Sequence, residues 1–209
     1  MKKITIIDYG TSNLKSIEAA FKYLGHDTIV TSDKKKITNS KTLVLPGVGA
    51  FPVVMNYLKK KGLDLAIQEY ILRGKPFLGI CLGMQLLFDI SYEFKKTTGL
   101  KILSGEVKNL HKENKNNKHL VPNTGWVPLK DNNLFRQKNI ISHGKNMDFF
   151  FTHTFYVEPK DKSIISSYFN FGEKFICSSV QYKNIFGMQF HPEKSGKKGL
   201  DLLKKFCKL

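Results

Sequence analysis

"KPFLGICLGMQLLF", residues 75–88, places one cysteine, Cys81, between two glycines, behind one apolar run and ahead of another. "PFLGI" has the length and composition of a buried strand and "LGMQLLF" reads as the start of a helix, so Cys81 stands at a strand-to-helix turn. Gly79-Ile80-Cys81-Leu82-Gly83 fits the spacing Gly-x-nucleophile-x-Gly, in which a sharp turn strains the nucleophile and leaves no room for side chains beside it. A thiol there faces the positive end of the helix, which raises its thiolate fraction, and the N–H of Leu82, unpaired at the helix start, is able to donate to an oxyanion. The same five residues also fit a small buried cysteine at an ordinary strand–helix junction, and on this stretch alone the two readings stand level.

Around this turn the chain alternates. "KITIIDYG" reads as a strand, "NLKSIEAAFKYLG" as a helix with Ile17, Ala20, Phe21 and Leu24 on one face, and "DTIV" as a short strand. "KTLVLPGVGAF" is a buried strand ending in a glycine-rich turn, and "FPVVMNYLKKKGLDLAIQEYILRG" reads as one helix leading to "PFLGI". Strands and helices of these lengths predict βαβ units and a mostly parallel sheet covered on both faces. From about residue 100 to 187 the chain turns to shorter Phe-, Tyr-, Val-, Ile- and Ser-rich stretches parted by "KENKNNK" and "KDNN", an antiparallel extension before a closing helix "GLDLLKKFCKL". With 209 residues, 41% of them hydrophobic, and no linker or repeat, residues 1–209 are expected to form a single α/β domain.

Composition removes several classes. No apolar run reaches membrane-spanning length and the lysine-bearing start lacks a signal-peptide core, so the chain is expected to be cytoplasmic, with no membrane partner. Cys81, Cys177 and Cys207 are an odd number without a CxxC pair, which predicts neither a disulfide framework nor a metal site. Lys+Arg outnumber Asp+Glu by 34 to 17, a net charge of +17 that suggests nucleic acid. The excess is lysine in short runs at helix ends and loops. Arginine, the preferred base and phosphate reader, is confined to Arg73 and Arg136, and no aromatic stacking module accompanies the charge, so a solvated face is the reading and no nucleic-acid partner is expected.

A nucleophile needs a base. In "GMQFHPEKS", His191 ends an apolar run and Glu193 follows at i+2, the spacing that projects two side chains to one side of an extended segment. Glu193 is then placed to hold one ring nitrogen of His191 while the other faces Cys81, with Pro192 fixing the backbone between them. His26, His111, His119, His143 and His153 lie mostly in polar or loop contexts and read as structural or solvent-facing.

"PGVGAF" at 46–51, "GICLGMQLLF" at 79–88 and "FGMQFHPEKS" at 186–195, in this order, resemble the class I glutamine amidotransferases. Within that class, "IDYGTSNLKS" at 7–16, "PGVG" and the "GW" at 125–126 are similar to the glutaminase subunits of imidazole glycerol phosphate synthases, and the resemblance runs from Ile7 to Lys208. It implies a flavodoxin-like sheet, and a glutaminase whose Cys81 attacks the amide of glutamine while His191, oriented by Glu193, handles the protons. It implies an oxyanion hole from Leu82 with Val48 and Gly49 of the glycine-rich turn, and substrate contacts from Gly47, Gln85, Glu93, Thr154 and Phe155. For Gln85 and Glu93 a helix cap or surface polar role competes.

The resemblance also implies no cofactor, and a separate (β/α)8-barrel cyclase partner in a heterodimer that receives ammonia for histidine biosynthesis. Departures from the family pattern touch partner-facing and gating positions: "PNTGWV" at 122–127 where relatives read "PHxGWN", Ser12 for a glycine, and Phe150 and Phe155 for tyrosines. They keep open an alternative, a paralogue feeding ammonia to acetamidino-sugar formation in bacterial surface glycans.

Overall fold

The computed structural model describes residues 2–10, 14–114, 119–131 and 147–209; Ser12, Arg136 and His143 lie outside them. In chain order the elements are β1 (Lys3–Ile7), α1 (Leu14–Tyr23), β2 (Asp27–Thr31), α2 (Lys34–Asn39), β3 (Leu43–Leu45), α3 (Phe51–Lys61), α4 (Leu63–Leu72), β4 (Phe77–Ile80) and α5 (Leu82–Gln85). There follow β5 (Phe88–Ser91), β6 (Thr97–Thr98), β7 (Leu103–Asn109), β8 (Asn123–Asp131), β9 (Met147–His153), β10 (Phe155–Pro159), β11 (Ile165–Phe171), β12 (Lys174–Tyr182), β13 (Ile185–Met188) and α6 (Gly196–Cys207).

Nine strands form one sheet in the order β2-β1-β3-β4-β13-β12-β11-β8-β9. From β2 to β13 every pairing is parallel, and from β13 to β9 every pairing is antiparallel. The expected α/β fold with an antiparallel extension is therefore present. Strand alternation explains why both faces are covered. Leu43, Leu45 and Phe77 pack with Val54, Leu58, Leu63 and Ile67 of α3 and α4 on one side. Val44, Leu78 and Ile80 pack with Phe21 of α1 and with Leu202, Leu203 and Phe206 of α6 on the other. Among the described residues no helix is long and apolar enough to cross a membrane.

Three local readings are corrected. The helix read over 51–74 is two helices, because Gly62 adopts a left-handed conformation (φ 65°) and its N–H closes onto Leu58 and Lys59 carbonyls, ending α3 before α4 begins. The helix after Cys81 is a single turn. Leu100 N–H takes the Leu86 carbonyl, and Ile102 and Leu103 take that of Leu87, which draws the chain out of the helix into β5. Finally, the second half divides between two sheets, since β10, β7, β5 and β6 form a separate four-stranded sheet against the first face. Apolar content cannot reveal this, because it reports that a strand is buried and not which strand it joins.

Candidate active site

The parallel part of the sheet brings Cys81 and His191 together. β4 and β13 pair in register, Gly79 with Gly187 and Ile80 with Met188, and the Cys81 N–H continues the ladder to the Met188 carbonyl at 2.7 Å. Cys81 follows the end of one strand and His191 closely follows the end of its neighbour. The turn is as tight as the sequence pattern requires. Cys81 has φ 52° and ψ −110°, a conformation that a residue with a side chain adopts only under constraint, and a Cβ on Gly83 would lie 2.0 Å from the Leu45 carbonyl oxygen. The "PGVG" turn packs over this elbow so closely that a Cβ on Gly47 would lie 2.5 Å from the Leu82 nitrogen.

His191 Nδ1 and Glu193 Oε1 are 2.8 Å apart, with both side chains almost wholly buried. Burial alone lowers the basicity of the ring, but the Cys81 sulfur and the Glu193 carboxylate outweigh it and push the His191 pKa up to about 10. Among the described residues His191 Nε2 has no partner in hydrogen-bond geometry, although Cys81 lies near enough for its sulfur to favour the imidazolium. The Ser195 hydroxyl fixes the backbone here, donating to the His191 carbonyl (2.6 Å) and accepting from the Phe150 N–H (3.0 Å).

Cys81 and His191 line a cavity of about 350 Å³, at the small end of ligand pockets and suited to one small polar metabolite. Val48, Gly49, Leu82, Gly47, Gln85, Glu93, Thr154 and Phe155 all line it too, so that of the residues singled out in the sequence only Glu193 stands behind the wall. Glu93 combines its two readings: it borders the cavity, and its Oε2 accepts the Phe51 N–H (2.7 Å) at the start of α3. Burial raises its pKa, against the lowering effect of that bond. The Val48 N–H is directed to the Tyr9 hydroxyl (3.2 Å), which in turn donates to the Pro46 carbonyl (3.0 Å). Cys177 and Cys207 are also buried, and burial pushes both thiols up, Cys207 to about 11, so neither is a nucleophile at neutral pH. Among the described residues no cluster of His, Cys, Asp or Glu could hold a metal ion.

The profile of the family described as glutamine amidotransferase class-I matches residues 5–209. The chain belongs to this family. The amidotransferase is 46% identical over 204 residues to the imidazole glycerol phosphate synthase subunit HisH of Caldanaerobacter subterraneus subsp. tengcongensis, covering 97% of this chain and 96% of the relative. It is 42% identical over 211 residues to the protein of the same name from Moorella thermoacetica, covering 100% and 96%. Among solved structures it superposes on a chain of PurLQS from Thermotoga maritima with a TM-score of 0.71 at 19% identity, covering 100% and 99%, a likeness of fold.

Sequence reasoning about this amidotransferase missed three side chains. His153, read as structural or solvent-facing, is buried in the cavity wall; its Nδ1 meets the Phe155 carbonyl (2.8 Å) and its Nε2 meets Asn123 Nδ2 (3.0 Å), and burial, then the neighbouring His191 charge, pull its pKa down to about 4. Gln189 is fully buried beside Cys81, and Tyr9 holds the glycine-rich turn. For Gln189 the signal was present, an amide inside the apolar run "FGMQF" where a polar group needs a buried partner.

Proposed function

We propose that the chain is the glutaminase subunit of an imidazole glycerol phosphate synthase and that residues 1–209 are its single glutaminase domain. The observation that carries this is the buried His191–Glu193 pair beside a strained Cys81 at the edge of a cavity sized for glutamine. The Cys81 thiolate attacks the glutamine carboxamide carbon, and the carbonyl pair becomes an oxyanion facing the Leu82 N–H and the "PGVG" turn. Collapse expels ammonia with a proton from His191, leaving a γ-glutamyl thioester. His191, now neutral, takes a proton from water as it attacks, and glutamate leaves with the thiolate restored. Glu193 holds Nδ1 and stabilises each imidazolium in turn.

Gly47, Gln85, Glu93, Thr154 and Phe155 form the substrate walls, with Val48 and Gly49 supplying the second oxyanion donor once the turn releases the Val48 N–H. Ammonia then passes to a (β/α)8-barrel cyclase partner in a cytoplasmic heterodimer, where it is used to build imidazole glycerol phosphate for histidine. The names of the two relatives favour this acceptor over a glycan sugar.

Glutamate release by the chain, measured with and without the barrel and its acceptor, tests the proposal. Strong stimulation by both together is expected. A free chain as fast as the complex would mark a freestanding hydrolase instead.

A further inference from the structure

We infer that Gln189 sets the state of the nucleophile: its side-chain amide, oriented by Gln85 and the Phe155 carbonyl, donates a hydrogen bond to Cys81 Sγ. The inference takes Cys81 as the nucleophile, as the proposed function does. Gln189 follows β13 directly, is fully buried, and has its Nε2 3.6 Å from the sulfur, a hydrogen-bond separation for an atom of that size. Its backbone is anchored by its own N–H to the Ser178 carbonyl (2.8 Å), so the side chain has little freedom to withdraw.

Shape alone does not say which end of an amide faces a neighbour, but the hydrogen-bond network does. A backbone carbonyl only accepts, so Gln85 must present its NH2 to the Phe155 oxygen, which it does at 2.9 Å. The second hydrogen of the same NH2 then points to Gln189, whose oxygen accepts it at 3.1 Å. With its oxygen so engaged, Gln189 has only its NH2 left for the sulfur. Reversing Gln189 would set two NH2 groups face to face. One carbonyl therefore orients two amides in series.

The same carbonyl faces His153 Nδ1, which must carry the hydrogen. His153 Nε2 is then the acceptor of Asn123 Nδ2. Asn123 thus begins a series of polar contacts that ends at Cys81. A neutral donor aimed at sulfur favours the thiolate over the thiol, and does so without a charge that would compete with His191. Because Phe155 and Gln85 also line the cavity, a substrate pressing on that wall acts on the donor to the sulfur.

The test is the pH profile of Cys81 alkylation by iodoacetamide, read on the Cys81 peptide by mass spectrometry, in the full chain. Gln189→Met keeps the length and removes the donor; its midpoint is expected to rise by about one pH unit, a tenfold slower alkylation on the acid side. Gln189→Glu is nearly isosteric and turns a carboxylate to the sulfur; it is expected to rise by about two units and keeps the test available if the Met variant fails to fold. Midpoints of folded Gln189→Met and Gln189→Glu that stay within about 0.2 unit of the parent would overturn the inference and leave Gln189 a packing residue. Alkylation needs neither glutamine nor a partner. A shifted midpoint in a chain that releases no glutamate even with the barrel and its acceptor would uphold the Gln189 donor and remove the glutaminase reading.

Discussion

The two sides of the cavity are held by different means. Cys81 and His191 emerge from adjacent parallel strands whose ladder runs up to the Cys81 N–H itself, so their separation is fixed by backbone hydrogen bonds deep in the nine-stranded sheet. The facing wall, Thr152 to Phe155, lies where the chain passes from β9 in that sheet to β10 in the four-stranded one. Its ends are paired in two different ladders, Thr152 and His153 with Thr124 and Asn123 of β8 and Phe155 with Asn109 of β7, and at the crossing Leu110 N–H bonds the Thr154 carbonyl at 2.9 Å while His153 and Gln85 meet the Phe155 carbonyl. The comparison teaches that the proposed reactive groups sit on the side held within one sheet, the rigid side, and the proposed recognition residues on the side whose position depends on two sheets, the adjustable side. Changes on the first side should appear in kcat, changes on the second in KM.

The largest effect tests the rigid side. Cys81→Ala is expected to lower glutamine-dependent synthesis in the proposed heterodimer by about 10⁴-fold or more, while synthesis from added ammonium persists, because the acceptor chemistry assigned to the other subunit does not use the thiol. Parallel assays with glutamine and with ammonium decide it, and equal loss of both would break the division between the two subunits. Next comes the base. His191→Ala should abolish thioester formation, and Glu193→Gln, which keeps the shape and removes the charge opposite Nδ1, should cost about 10²–10³-fold in kcat with KM nearly unchanged. A rise in KM instead would mean that Glu193 shapes the pocket rather than orienting the ring.

The rigid side was also the legible one. Cys81, His191 and Glu193 could be read because their placement depends on local geometry: a Gly-x-Cys-x-Gly turn, and an i, i+2 pair at a strand end. The facing wall depends on partners distant in sequence. Nothing near His153 signals that it will be buried against Phe169 and Phe151, or that its ring will meet Asn123 thirty residues away. The same limit explains the errors in the fold. "LGMQLLF" is apolar at nearly every position and so has no periodicity to mark where the helix ends, and the capture of the Leu86 and Leu87 carbonyls by residues 100–103 is a tertiary event. Gly62 inside "KKKGLD" did carry a local stop signal, overridden in the reading by the helical pattern on either side.

His153 sharpens the comparison from the adjustable side. Its pKa is depressed from 6.5 to about 4, chiefly by burial, so the folded state favours the neutral ring. The unfolded chain binds the extra proton between these values. The stability this residue secures is therefore full above pH 6.5 and is lost as pH falls toward 4, by about 3 kcal/mol in all. Urea unfolding at several pH values should show His153→Phe losing less stability than the parent on acidification through this window. Glutamine KM should rise in the same variant, with kcat changed less. An unaltered acid slope would mean that the ring does not titrate on unfolding.

The smallest expected effect concerns the turn that bridges the two sides. Tyr9 holds the Val48 N–H through its hydroxyl, and in that arrangement this donor is committed away from a developing oxyanion. Tyr9→Phe keeps the buried ring and removes the hold. A hydrogen bond of this kind contributes about 1 kcal/mol, so the isolated chain should release glutamate about fivefold faster while the fully stimulated rate stays near that of the parent. The ratio of stimulated to basal turnover should fall by the same factor. Gly49, at φ 115°, offers the opposite change, because a β-branched residue resists that conformation; Gly49→Val should blunt stimulation without raising the basal rate. If Tyr9→Phe leaves the ratio intact, the partner acts on some other element, and the glycine-rich turn is a fixed part of the rigid side rather than a joint between the two.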